Sequence, residues 1–413
     1  MSAADRHSTQ RVLFIAPQVP YPPEQGTALR NYNLVAQVAR RHRVALLAFE
    51  QRPPTPQELE HLQGLCERVV TVPAPQRSLL DRLRTLALSR EPDMALRLWS
   101  VGFAQALHDL VRDWRPDVVQ VEGIELGRYA ALLRAEFGQH PAIIFDDHNA
   151  EYLLQQRAAS TDLRHPGRWV KAVYSFVQAR RLRRFEAQLC GLADAVLAVS
   201  PDDAQAIAAI APTVDVRVIP NGVDTALYRP GLPDALPLQH PAVVFTGKMD
   251  FRPNVDAVLW FADEVWPRVV AQRADATFYI VGKAPTEAVS ALTARSGICV
   301  TGYVEDILPY FGGADVYVVP LRVGGGTRLK VLEAMAAGLP LVSTALGAEG
   351  IGARHGRDLL LADAPDAFAA ALLRLLDDRD HAAALGRAAR AFVERHYDWS
   401  AITPPLSELL AAL

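Results

Sequence analysis

Short, unbroken apolar runs rich in Val, Ile and Leu constrain this chain more than any other feature. In the first half they fall at Val12–Ala16, Val44–Phe49, Val69–Val72, Val118–Val121, Ala142–Phe145, Ala195–Val199 and Val216–Ile219. A strand with one wet face alternates apolar and polar residues. Continuous apolarity marks a strand covered on both faces, as in a parallel sheet between helical layers. The stretch from Arg217 to Val243 carries Pro220, Pro230, Pro233, Pro237 and Pro241, which reads as a linker. The runs then resume at Val243–Thr246, Thr277–Val281, Ile298–Val300, Val316–Val319, Leu339–Ser343 and Leu359–Leu361, with Ala-rich helical segments between them. The expected fold is α/β: two Rossmann-like, doubly wound lobes facing a cleft. The lobes are expected at 1–225 and 242–390, with the linker at 226–241 and a terminal helix, 391–413, packing back on the first lobe. Ligands of such sheets sit at the carboxyl ends of the strands, so the loops there are where chemistry is sought.

Size agrees with two domains, because 413 residues exceed what one core usually supports. A net charge of -3 gives no electrostatic case for a nucleic-acid partner. Cys66, Cys190 and Cys299 are far apart and lack metal-ligand spacing, which suits a reducing compartment. The opening MSAADRHSTQR has no apolar core of a secretion signal, and no apolar run reaches the roughly 18 residues of a membrane span. A cytoplasmic location is expected. Only Lys171, Lys248, Lys283 and Lys330 among the 43 basic residues are lysines, and the last three follow glycines near strand ends.

After the first strand, a dinucleotide fold would place G-x-G-x-x-G, which is absent. A proline-rich loop ends instead at Gly26, with Thr27 as candidate N-cap of a helix over Leu29–Arg40. A phosphate can sit on such a helix end, but a plain connecting loop explains the residues as well. The run Asp146-Asp147-His148-Asn149-Ala150-Glu151 ends a buried strand. Either it is an Asx-type turn capping the next helix, or His148 stands over the cleft to bind a sugar hydroxyl or handle a proton. In the second lobe, Lys248 follows Gly247 at the end of the first strand, and Lys283 follows Gly282 at the end of the second.

The segment Arg322-Val323-Gly324-Gly325-Gly326-Thr327-Arg328-Leu329-Lys330 resembles a helix with a poor start. Glycines lead in, and two cations occupy a first turn where the helix dipole prefers acids. A bound anion removes the conflict. Glycine amides, the unpaired N–H groups of a helix beginning at Thr327, and Arg328 and Lys330 then form one anion site, fit for a diphosphate. Glu333, nearly two turns in, is placed to accept from paired hydroxyls.

The stretches VVFTGKMDFRPNVDAVLWF, IVGKAP, TGYVEDILPYFGGADVYVVP, GGGTRLKVLEAMAAGLPLVSTALGAEG, VIPNGVD and FVERHYDWS resemble the family 4 retaining glycosyltransferases of the GT-B fold, over roughly residues 11 to 400. The resemblance implies a nucleoside-diphosphate sugar donor bound mainly by the second lobe. By it, Glu333 holds the ribose hydroxyls. Gly26, Lys248, Gly325, Gly326, Thr327 and Arg328 contact the donor diphosphate. Tyr303 and Val304 meet the base, and His148 touches the transferred sugar as the catalytic residue. It further implies transfer with retention by front-face attack, with no cofactor and no metal. The D-x-D at Asp378–Asp380 falls between helical segments, away from any diphosphate. Two positions depart from the family pattern. Gly325 stands where many relatives keep the first glutamate of E-x7-E, and Pro253 and Asn254 fall where many keep a second basic residue. Arg328 and the glycine amides are expected to compensate.

Residues Arg157 to Arg184 hold eight Lys or Arg against one acid, Asp162, interleaved with Trp169, Tyr174 and Phe176. This reads either as a solvated arginine-rich helix or as a surface for anionic lipid at the inner face of the cytoplasmic membrane. The expected activity is sugar transfer to a glycan or polyprenyl-linked acceptor in exopolysaccharide or cell-surface polysaccharide synthesis. A nucleotide-sugar epimerase or hydrolase of the same fold, or a non-catalytic nucleotide-sugar-binding subunit, are the alternatives.

Overall fold

The computed structural model describes residues 9–23, 26–78, 89–163, 169–232, 235–324 and 328–413. The chain forms two compact units, Met1–Pro220 together with Thr403–Leu413, and Asn221–Ile402.

In the first unit the apolar runs form β1 (Arg11–Ala16), β2 (Arg43–Glu50), β3 (Arg68–Pro73), β4 (Val118–Glu122), β5 (Ala142–Asp147), β6 (Ala195–Ala198) and β7 (Val216–Val218). All pair in parallel, in the order β3-β2-β1-β4-β5-β6-β7. Central strands are buried along nearly their whole length, as continuous apolarity requires, whereas β3 at the edge is only half-buried. Phe49 of β2 stacks on Phe103 with ring centres 4.2 Å apart, and Tyr129 packs tilted against both. The helix Pro404–Ala412 belongs to this unit and packs near β7.

The second unit holds β8 (Ala242–Thr246), β9 (Thr277–Val281), β10 (Ile298–Gly302), β11 (Val316–Val319), β12 (Leu341–Ser343) and β13 (Leu360–Leu361). They form a parallel sheet in the order β10-β9-β8-β11-β12-β13. Phe261, Phe278 and Trp266 pack together on one face, and Phe261 also meets Phe368 edge-on. The helix Arg252–Trp260 passes through a π turn at Phe261–Val265 just before Pro267, whose missing N–H cannot continue the regular ladder.

The proline-rich stretch expected to be a linker lies inside the second unit, as do residues 391–402. Prolines keep it out of the sheet, but some of its other amides find partners there. The Leu236 N–H donates to the Pro309 carbonyl at 3.1 Å and the Gln239 N–H to the Tyr279 hydroxyl at 2.8 Å.

In each sheet the strand order reverses beside its first strand, between β1 and β4 and between β8 and β11. At such a switch point neighbouring loops diverge to opposite faces and leave a crevice at the carboxyl edge. Both candidate sites stand on these edges.

Candidate functional site

In the first unit the helix Gly26–Ala39 follows β1. It begins at Gly26, so Thr27 lies within the first turn rather than capping it as expected, and Gly26 itself is exposed. Arg30 on this helix is buried to 1% exposure. Its guanidinium grips both oxygens of Asp146 at the end of β5, each at 2.9 Å, and also donates to the Ile219 carbonyl after β7 at 2.9 Å. A two-pronged charge-assisted pair of this kind fixes strand ends relative to the helix.

His148, one residue past β5, meets Glu122 at the end of β4, with Nε2 3.0 Å from Oε2. The other Glu122 oxygen accepts from Gln120 at 2.7 Å. The Asn31 amide, oriented to satisfy its surroundings, donates to Glu122 Oε2 at 2.8 Å and the Thr27 carbonyl at 3.1 Å. Burial alone would lower the His148 pKa, but the Glu122 hydrogen bond and the Asp146 charge outweigh it, and the imidazole is held toward its protonated form. Burial, then the Asp146 charge, raise the Glu122 pKa against the opposing pull of His148.

At the last residue of β5, burial and the neighbouring Glu186 carboxyl push Asp147 well above the ordinary carboxylate range. Burial brings Glu186 up to about 7 although it accepts the Glu151 and Tyr152 amides at 3.0 and 2.9 Å. The start of the helix Glu151–Leu163 is therefore satisfied by a carboxylate 35 positions along the chain. Asn149 only approaches the Glu151 side chain at 3.4 Å, so the Asx-turn reading does not describe this helix start. Burial first, then Glu125, raise Glu151 to about 7. A cavity of about 270 Å³ opens at this edge, bordered by Gln18, Thr27, Arg97, Glu125, His148 and Glu151 among others. Glu122, Asp146 and His148 each bring a ligand atom within 4.8 Å of the others, a spacing a cation could use. Yet Arg30 already spans Asp146 and His148 already meets Glu122, so the cluster is neutralised by protein donors.

In the second unit Gly247 directly follows β8, and an added Cβ there would lie 2.9 Å from the Lys330 ammonium and 2.6 Å from the Asn254 amide. At Gly282, after β9, it would lie 1.8 Å from the Gly247 carbonyl oxygen. These glycines permit a close backbone approach that a side chain would forbid. The Lys330 ammonium donates to the Thr246 carbonyl at 2.7 Å and the Asn254 side-chain oxygen at 2.8 Å, 4.0 Å from the Phe245 ring centre. Burial lowers its pKa to about 7, with Glu333 opposing and Arg328 adding to the fall. Glu333 stands one turn further along the helix Leu329–Ala336. Burial raises its pKa against Lys330 and a hydrogen bond from the Tyr228 hydroxyl.

The helix begins at Leu329 rather than at Thr327, so Arg328 occupies the cap position and Lys330 the first turn. Gly325, Gly326 and Thr327 lie outside the described residues. Gly324 has φ +115, which only glycine adopts readily. Arg328 is 7% exposed and reaches the Leu346 carbonyl at 3.5 Å; burial lowers its pKa. Lys248 is exposed and pairs with Asp250 at 3.1 Å. Tyr303 is 71% exposed just past β10, two strands from β8, with Val304 packed on the core beside it. Asp378 caps the helix Arg379–His396 by accepting from the His381 N–H, a structural use of the D-x-D.

Sequence reasoning named His148, Glu333 and Lys248, which the structure places at or near these strand ends, but passed over their neighbours Arg30, Glu122, Glu186 and Tyr228, and singled out Arg328 above Lys330 to make up the missing charge. Glu122 left a signal, an acid directly after a buried strand. Arg30 and Glu186 look like ordinary helix-surface residues, and nothing local marks them.

A sequence family described as Glycosyltransferase Family 4 matches residues 25–227, and one described as Glycosyl transferases group 1 matches residues 240–378. The chain is 30% identical over 224 residues to a GDP-mannose-dependent alpha-(1-6)-phosphatidylinositol monomannoside mannosyltransferase of Mycobacterium tuberculosis, covering 49% of this chain and 57% of that protein. It spans about half the length of the curated relatives it matches. Among solved structures, sucrose-phosphate synthase from Thermosynechococcus elongatus superposes with a TM-score of 0.70 at 19% identity over 98% of both chains. Anabaena Alr3699/HepE in complex with UDP and glucose gives 0.63 at 15% identity, over 98% of this chain and 100% of that one. At these identities the likeness is one of fold.

Proposed function

The chain belongs to the group 1, family 4 glycosyltransferases and has their two-lobed GT-B fold, and from that premise we propose a specific transfer. A sugar moves from a nucleoside-diphosphate donor to a glycan or lipid-linked acceptor, with retention at the anomeric carbon, in the assembly of an exported or cell-surface polysaccharide. The observation that carries the reading is Lys330, drawn under the carboxyl end of β8 beside Gly247, with Glu333 one turn further along the same helix.

In this reading Lys330, Arg328, Lys248 and the glycine-loop amides receive the diphosphate, Glu333 accepts from the ribose hydroxyls, and Tyr303 and Val304 border the base. Charge grows on the departing diphosphate, so fixed cations and amides aimed at it lower the barrier. The reaction proposed here runs without a metal ion. His148, held toward its protonated form by Glu122, presents a hydrogen-bond donor to the transferred sugar.

Membrane contact belongs to the same proposal. Val173 and Phe176 are 54% and 53% exposed on the helix Trp169–Leu192, which also presents exposed Arg180, Arg183 and Arg184. Apolar side chains beside cations suit the surface of an anionic bilayer. No helix among the described residues is long and apolar enough to cross one. The side chains of Arg157, Trp169 and Lys171, and residues Arg164 and Arg168, lie outside what is described.

One relative is named for GDP-mannose and one structural neighbour holds UDP and glucose, so both nucleotides enter the test. Thermal stabilisation is measured against UDP- and GDP-sugars, followed by donor turnover with an acceptor extract. Stabilisation by one nucleotide series and a glycosylated product are expected. Free sugar alone would mean hydrolysis, and no response to either series removes the transferase reading.

A further inference from the structure

The cavity beside His148 does not end at its own rim. A second cavity, of about 170 Å³, shares Gln18 and Gln51 with it and continues past Ala28 to Tyr21, Pro22 and Arg52. Both lie in the first unit, and the first turn of the helix Gly26–Ala39 borders both, through Thr27 in one and Ala28 in the other.

The second cavity is built before any ligand arrives. The Tyr21 ring stacks on His61 with ring centres 3.9 Å apart and planes 14° from parallel. His61 is itself held by the Tyr32 hydroxyl at 2.8 Å. The Val19 N–H donates to the Phe49 carbonyl at 2.9 Å, tying this loop to β2. Arg52 also borders this cavity, two-pronged on Glu58 at 2.9 and 2.6 Å, with Glu58 also closing the capping box of the helix Pro56–Leu65.

Charge and size narrow the occupant. Arg52 pairs with Glu58 in the second cavity, and Arg97 with Glu125 at 3.5 Å in the first. Each arginine therefore arrives with its own carboxylate, and neither pair adds net charge that would select an anion. Such pairs still offer many donors and acceptors, and the shared Gln18 and Gln51 amides add both kinds. An aromatic side chain beside a paired guanidinium and carboxylate suits a pyranose, with its apolar face and its ring of hydroxyls. Each cavity is smaller than the roughly 300–1,000 Å³ that encloses a drug-sized ligand, so each takes about one ring and a longer ligand must span both.

We propose that the Tyr21 cavity is a subsite for the second sugar of the acceptor, so the acceptor is a glycan of at least two neutral units with its reacting end beside His148. This rests on the transferase reading and names its acceptor class.

The test uses the full chain and calorimetry with methyl glycosides of mannose, glucose and galactose, set against mannobiose, maltose, cellobiose and lactose. At least one disaccharide is expected to bind ten-fold or more tightly than its component monosaccharide. Tyr21→Ala should remove that increment and leave monosaccharide affinity within about twofold, while Tyr21→Phe, which keeps the ring, should retain it. If Tyr21→Ala lowers the thermal midpoint sharply, Arg52→Gln at its exposed position reads the same increment. Equal affinity for mono- and disaccharides, an equal loss for both in the variants, or no binding across the panel overturns the subsite. UDP and GDP titrations on the same samples separate the two readings. Nucleotide binding without a disaccharide increment removes the subsite alone, whereas no nucleotide binding and no donor turnover removes the transferase reading.

Discussion

β4 and β5 of the first sheet end in Glu122, Asp146 and Asp147, all buried, with Glu151 and Glu186 close behind. In the second sheet, β8 and the loop after β11 end instead among Lys248, Arg328 and Lys330. The strand orders are the same once β7 is set aside, and each edge is the switch point of its own sheet. Topology alone therefore decides where a crevice forms, and loop residues decide what charge it holds. One edge gathers acids and neutralises them with Arg30 and His148; the other gathers cations and offers them Glu333. An edge of the second kind awaits an anion, whereas one of the first kind suits hydroxyls.

The comparison breaks most visibly at the buried pair of the first edge. Asp146→Ala removes the carboxylate that the Arg30 guanidinium grips with both prongs, and loss of one partner of a buried pair costs about 3–5 kcal/mol. Urea unfolding should register that loss, and a midpoint near wild type would mean the pair is not what holds β5 to the helix. At the other edge, Lys330→Met and Arg328→Ala should each weaken nucleoside-diphosphate binding by about 1.5–3 kcal/mol, the range for charge-assisted contacts. Unchanged calorimetric affinity in both would show that the cations serve the fold and not an anion. Glu333→Gln should raise the donor KM, and a wild-type value would take the ribose from it.

Titration sharpens the contrast, because the two edges slope in opposite senses. Glu186 is raised to about 7 from its ordinary 4.5, so the folded chain holds a proton the unfolded chain has released. Its contribution is present below 4.5 and is lost as pH rises to about 7. Lys330 is lowered to about 7 from 10.5, so its contribution is present above 10.5 and is lost as pH falls to about 7. Glu186→Gln should flatten the wild-type stability slope on the acid side and Lys330→Met on the alkaline side, each read as the difference in urea midpoint across pH. A diphosphate bound at pH 8.5 should restore the Lys330 proton, seen as proton uptake when calorimetry is repeated in buffers of different ionisation enthalpy. No uptake would place the anion away from Lys330.

The smallest effect is expected at Lys248→Ala. Its exposed pair with Asp250 contributes about 0–1 kcal/mol to stability. Its cost in donor affinity should fall below that of Lys330→Met. The reverse order would make the exposed lysine the anion contact and the buried one a prop for β8.

Every strand was legible because its signal is local. Burial on both faces demands apolar residues throughout, and Val12–Ala16 or Thr277–Val281 could hardly fold otherwise. Helix starts were less legible. The first turns at Gly26 and Leu329 differ from the expected cap at Thr27 and the expected start at Thr327, since a side-chain cap is only one way to satisfy a helix end. Glu186 shows why such misses occur, because its carboxylate accepts from the first amides of the helix Glu151–Leu163 from far along the chain. The same holds for the proline-rich stretch: its breakers were visible, but the Pro309 carbonyl and Tyr279 hydroxyl that bind it into the second unit were not.

By itself the sequence determined two parallel sheets, the loops at their carboxyl ends, and the family to which GGGTRLKVLEAMA belongs. Periodicity and short motifs carry those, and both are written in neighbouring residues. Tertiary structure alone decided that Lys330 is the cation drawn beneath Gly247, that Glu122 orients His148, and that Arg30 neutralises Asp146. Each of those contacts joins residues 26 to 116 positions apart, and burial of a charge becomes known only when the chain that surrounds it has folded.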